Sequence, residues 1–107
     1  MTYLAEMGEH LHQVAKKKGF WPENVDDIFI TKQLMMIVSE TVEVMEAIRK
    51  DQGKEAVAKE MADIVIRTLD LYAGLEESGY VDISLDKALE EKSKFNKTRP
   101  ERHGVKF

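Results

Sequence analysis

The chain has 107 residues, 16 Lys and Arg against 20 Asp and Glu, 43% hydrophobic residues and no Cys. That length makes one domain with one core, the apolar content is too high for a disordered chain, and the lack of Cys excludes a disulfide scaffold, a thiolate zinc site and a cysteine nucleophile. The net charge of −4 excludes a uniformly basic DNA binder, so no duplex nucleic acid is expected as a partner.

Four helices are predicted, and nothing reads as strand. Leu4, Met7, Leu11 and Val14 recur at helical spacing; Lys16, Lys17 and Lys18 complement a helix C-terminus, and Gly19 follows as its stop. Phe20 to Asp27 reads as a connector, since Pro22 disfavours helix at Trp21. The second helix is predicted from near Thr31, with Asp27 as a rival cap, to about Asp51. Its stripe is Leu34, Ile37, Val38, Met45 and Ile48. Gly53 breaks the pattern, and a third helix runs from about Glu55 to Ser78 with the stripe Val57, Met61, Ile64, Thr68, Leu71, Tyr72 and Leu75. So short a connection predicts an antiparallel hairpin. Gly79 ends the third helix; Ser84 caps a fourth that reaches about Lys97 before Pro100. The expectation is an all-α bundle around a central hairpin, a single domain over residues 1–107. Met7, Met35, Met36, Met45 and Met61 lie mostly on these stripes and receive no chemistry.

The longest unbroken apolar run, Leu34 to Val38, is far short of the roughly 20 residues a bilayer requires. The N-terminus carries Glu6 and Glu9 and no apolar export segment. A cytoplasmic protein without a membrane partner is expected. From Lys92 onward six bases face one acid, a tail of +5 on a body of −9. Such a tail is either a solvated end or a source of cations for a polyanionic ligand.

The second helix carries Glu40 and Glu43, the third Glu60 and Asp63. Spacing of i,i+3 puts both members of a pair on one helix face, but a chain this acidic holds about four such pairs by chance. Their surroundings say more. Glu40 and Glu43 share a stripe with Met36 and Ala47, beside Val44; Glu60 and Asp63 are flanked by Val57 and Ile64. Antiparallel pairing can bring all four carboxylates towards one point, where they repel unless protonated or neutralised by cations. Oxygen donors without His or Cys suit Mg²⁺ or Mn²⁺ rather than Zn²⁺. The alternative is surface charge paired with Lys59, Arg49 or Arg67. A di-iron bundle would want Glu-x-x-His pairs, and His10, His12 and His103 are wrongly placed for one.

Glu40-x-x-Glu43, sixteen residues, then Glu60-x-x-Asp63 resembles the signature of the MazG-like all-α nucleoside triphosphate pyrophosphohydrolases. Lys18-Gly19-Phe20-Trp21 resembles a segment of one small single-domain branch. Ser39 to Lys50 and Glu60 to Leu71 are similar to that branch's two central helices, and Glu91 to Phe107 to its ending, with Asn96, Arg99, Pro100, Arg102, His103 and Gly104 matching. Ser39 departs from the additional Glu common elsewhere in the superfamily.

The resemblance implies a four-to-five-helix MazG-like bundle, assembled as a homodimer or homotetramer. It implies Mg²⁺-dependent hydrolysis of a nucleoside triphosphate to the monophosphate and pyrophosphate, with Mn²⁺ as a substitute. Glu40, Glu43, Glu60 and Asp63 would hold metal, and Glu40 or Glu43 would position or deprotonate the water. Asp70 would be either an outer-sphere member or a partner of Arg67. Lys92, Asn96 and Arg99, on one face of the fourth helix, would contact substrate; Arg102, His103 and Lys106 are weaker candidates. Trp21 would stack on the base, or plug a helix gap or subunit contact. Rival readings are a pyrophosphohydrolase for another nucleotide, such as phosphoribosyl-ATP, and a non-catalytic helical interaction module. Homo-oligomerisation is also expected because the second helix is apolar nearly all round, with Met35 and Val42 widening one side and Met36, Val44 and Ala47 the other.

Overall fold

The computed structural model describes residues 3–100. They form α1 (Tyr3–Lys17), α2 (Asp27–Arg49), α3 (Lys54–Glu77) and α4 (Leu85–Thr98), with no strand among the described residues. The ends of α1 and α3 share one chemistry. Gly19 has φ 79°, a left-handed conformation open to a residue without Cβ. It lets Gly19 N–H donate to Lys16 O and Phe20 N–H to Ala15 O, both at 3.0 Å, satisfying carbonyls that α1 leaves open. At Gly79 the same pair of bonds closes α3 onto Glu76 O and Leu75 O.

The start of α2 differs from expectation. Asp26, in extended conformation, accepts the Phe29 N–H at 2.8 Å and so caps a helix that begins at Asp27. Thr31 lies a turn inside, its hydroxyl donating to Asp27 O. The aspartate wins because its carboxylate meets an otherwise unpaired N–H at the positive end of the helix. Ser84 caps α4 as expected, accepting from Lys87 N–H at 3.1 Å.

Central α3 packs against α2 on one flank and α1 on the other. Glu40 meets Arg67, while Ala47 and Ile48 line one cavity with Val57. Numbers rise along α2 as they fall along α3, so the hairpin is antiparallel. On the other flank Gly8 lets α1 approach the Leu69 carbonyl: a β-carbon there would stand 3.1 Å from the oxygen. Asp86 at the start of α4 accepts Ala5 N–H at 3.1 Å and joins α4 to an open donor of α1.

Only Ile30, Ala47, Leu69 and Leu71 are buried apolar side chains among the described residues. The wide stripe of α2 does not close the hairpin: Leu34, Val38, Met45 and Ile48 are exposed, Ile48 to 63%. The side against α3 is the one carrying Met36, Glu40, Val44 and Ala47, all buried or half-buried. Helical periodicity identifies an apolar face without identifying the neighbour that covers it. No described helix is long and apolar enough to cross a membrane.

Candidate metal centre

Because α2 and α3 run antiparallel, Glu40 comes level with Glu60 and Asp63. Each offers a carboxylate oxygen, and these oxygens lie within 4.8 Å of one another. Glu43, one turn along α2, is exposed and outside that group. Its charge still reaches Glu60. Partial burial first, then the charges of Asp63, Glu43 and Glu40, push the Glu60 carboxyl above the ordinary glutamate value. The three carboxylates thus create a local need for positive charge. A hard divalent cation matches that need and the all-oxygen donor set.

Arg67 partly meets it already. Its Nε donates to Glu40 Oε1 at 2.8 Å. Asp70 is therefore not partnered by Arg67. Its Oδ1 lies 2.8 Å from His12 Nδ1 and accepts from Trp21 Nε1 at 3.1 Å. His12 is only 2% exposed, and its other ring nitrogen lies 3.6 Å from Glu77 Oε2. The Trp21 ring packs edge-on against His12, 4.5 Å between centroids, and tilted against Phe29 at 5.0 Å. Its outer edge sits on Gly74, where any β-carbon would overlap it. Of the roles open to Trp21 from sequence, filling a helix gap is the one these contacts serve.

A cavity of about 330 Å³ holds Glu40, Asp63, Arg67 and Asp70, with Lys18 and Phe20 from the end of α1 and the adjoining connector. A larger one, about 480 Å³, opens beyond Trp21 between His12, Lys16 and Glu77 and contains none of the acid group. No α4 residue lines the cavity at the acids. Lys92 and Arg99 instead flank the Phe95 ring, 5.0 and 5.5 Å from its centroid, and Asn96 is exposed beside them. The structure does not bring this trio to the acids within one chain. Arg102, His103 and Lys106 lie outside the described residues.

Sequence reasoning offered Arg67 only as the partner of a surface charge, and missed Lys18, which lines the same cavity as the acids, and the buried His12. One signal was available: Ala5, Gly8, His12 and Ala15 recur at helical spacing, a face of small residues on which a histidine sits close to its neighbour.

An all-α chain whose central hairpin gathers carboxylates into one oxygen-donor group belongs to the class of helical proteins built around an acidic centre. More particularly, it belongs to the MazG family: the MazG nucleotide pyrophosphohydrolase domain matches residues 30–103. Membership makes the chain a nucleotide pyrophosphohydrolase at the family level, a hydrolase. The match spans α2 from Ile30 onward, α3 and α4, and leaves out α1 and the Trp21 connector. No curated protein and no solved structure gives a significant match.

Proposed function

We propose that this protein hydrolyses a nucleoside triphosphate, ribo- or deoxyribo-, to the monophosphate and pyrophosphate, and that it uses Mg²⁺, with Mn²⁺ able to substitute. The observation that carries this reading is the convergence of Glu40, Glu60 and Asp63 from two helices in a chain of this family. Glu40, Glu60 and Asp63 would hold the cation, with Glu43 beside them. The bound cation would neutralise phosphate oxygens and make water a stronger nucleophile. The chain's own residues do the rest. Glu43 stands outside the three-acid group, so its oxygens stay free to orient a water or take its proton; Glu40 is the other candidate. Lys18 and Arg67 face the same cavity and suit phosphate oxygens.

The reading includes a homodimer or homotetramer. Val38, Val42, Met45 and Ile48 on α2, and Met61 and Val65 on α3, are all about half exposed or more. That is a large apolar surface to leave open beside the four buried apolar side chains of the described residues, and it calls for a partner. Lys92, Asn96 and Arg99 would then serve the acids of a neighbouring subunit. Pyrophosphate release over a panel of ribo-, deoxyribo- and modified triphosphates, with Mg²⁺ and with EDTA, tests the proposal. No release from any triphosphate, or release undiminished by EDTA, overturns it.

A further inference from the structure

Arg67 binds a carboxylate that belongs to the acid group itself. Glu40 Oε1, which accepts from Arg67 Nε at 2.8 Å, is on one of the three residues that converge within 4.8 Å. The two side chains are 37% and 17% exposed, so water screens the pair less than it screens a surface ion pair. Arg67 lies four residues after Asp63 and seven after Glu60, on the same face of α3. The guanidinium is thus carried by the very stripe that presents two of the acids.

A carboxylate held by a guanidinium is a weaker donor to a metal, because the same oxygen charge cannot serve both cations in full. We propose that Arg67 is a built-in counter-ion of the acid group and competes with the divalent cation for Glu40. The proposal rests on the metal-centre reading above. Without metal, Arg67 offsets part of the repulsion among Glu40, Glu60 and Asp63, whose oxygens lie within 4.8 Å of one another. When a divalent cation takes Glu40, Arg67 is released into the cavity of about 330 Å³ that it shares with Lys18. Two cations then face the space beside the metal, where the phosphate oxygens of a nucleotide would sit. The guanidinium displaced by the metal becomes available to the substrate, so occupancy of one site favours the other.

The test measures Mn²⁺ alone, from the resonance of the free aquo ion, on metal-stripped protein without nucleotide. Arg67→Met is expected to bind Mn²⁺ at least about threefold more tightly than wild type. Lys18→Met removes the same charge from the same cavity, but Lys18 forms no ion pair among the described residues. It should change Mn²⁺ affinity by clearly less. Thermal unfolding supplies a second readout: in EDTA, Arg67→Met should unfold below wild type, and saturating Mn²⁺ should close that gap. If Arg67→Met does not fold, Arg67→Gln replaces it, keeping a donor without the charge, with the same direction expected. Equal or weaker Mn²⁺ binding by the Arg67 variant overturns the competition and leaves the metal centre standing. So does equal tightening by Lys18→Met, which would mean a general field effect. No Mn²⁺ binding by any of the proteins overturns the metal centre and the competition together.

Discussion

Trp21 and Asp70 are 49 residues apart in sequence and joined by the indole Nε1, which donates to both carboxylate oxygens, Oδ1 at 3.1 Å and Oδ2 at 3.3 Å. Oδ1 also meets buried His12, so one carboxylate ties α1, the connector and α3 together. Trp21→Phe keeps most of the ring packing and removes the donor. It should cost about 1–2 kcal/mol in urea unfolding followed by circular dichroism. Gly74→Ala places a methyl in the space of the indole edge and should cost about 1–3 kcal/mol. A Gly74→Ala protein as stable as wild type would show that Trp21 is not seated there.

The acid group makes the sharpest activity prediction. Glu60→Gln and Asp63→Asn should each lower kcat/KM by about 100-fold or more while leaving helicity intact. In metal-free protein near neutral pH, Glu60→Gln should also raise the unfolding temperature. The folded chain holds the Glu60 carboxyl above its ordinary value, so the ionised form is the costly one. Near-normal turnover in both variants would remove these residues from the centre.

The α4 cations are tested by separating substrate from metal. Arg99→Ala should lower kcat/KM by about tenfold, with Mn²⁺ binding in the absence of nucleotide unchanged. An unaltered kcat/KM would return Lys92, Arg99 and Phe95 to a solvated helix end.

The open face of α2 predicts assembly. Light scattering with size exclusion should give a mass of at least twice 12.3 kDa, and the unfolding midpoint should rise with protein concentration. Met45→Glu, at a side chain 57% exposed in the single chain, should shift the population to a smaller species without loss of helix. A monodisperse, active 12.3 kDa protein at low micromolar concentration would overturn the oligomer.

Lys16 and Glu77 link α1 to the end of α3 at 2.7 Å. The Lys16 hydrogen bond, against the opposing effect of partial burial and with help from the Lys16 and His12 charges, holds the Glu77 carboxyl below its ordinary value. A lowered carboxylate value contributes stability above the unfolded-state value of about 4.5, lost as pH falls through the folded one. Both side chains are more than a third exposed, so Lys16→Met should cost no more than about 1 kcal/mol at pH 7. The difference should vanish in strong acid; a constant difference down to pH 2 would assign it to packing.

The helix count, the stops at Gly19 and Gly79, the Ser84 cap and the antiparallel hairpin were all legible in the sequence. They depend on local backbone chemistry and connection length, which one strand of chain carries by itself. Gly53 is not such a stop: α2 instead closes at Asp51, whose φ is 52°, and Gly53 caps the start of α3. The approach of Glu40 to Glu60 and Asp63 was legible for a related reason, since i,i+3 spacing on two helices joined by a short turn leaves few ways to arrange the carboxylates; that Glu43 stays outside this group was not. Tertiary structure decided which side of α2 faces α3, since its wide apolar stripe and its narrower acid-bearing side both repeat at 3.6 residues. It decided that Arg67 belongs to Glu40 rather than to Asp70, a choice made by groups meeting across helices. And it decided that His12, which periodicity in α1 left without a role, is buried against Asp70 beside Trp21, because Gly8 and Gly74 let α1 and the indole close onto α3. Contacts of that kind depend on how closely backbones approach, a distance that residue spacing does not encode.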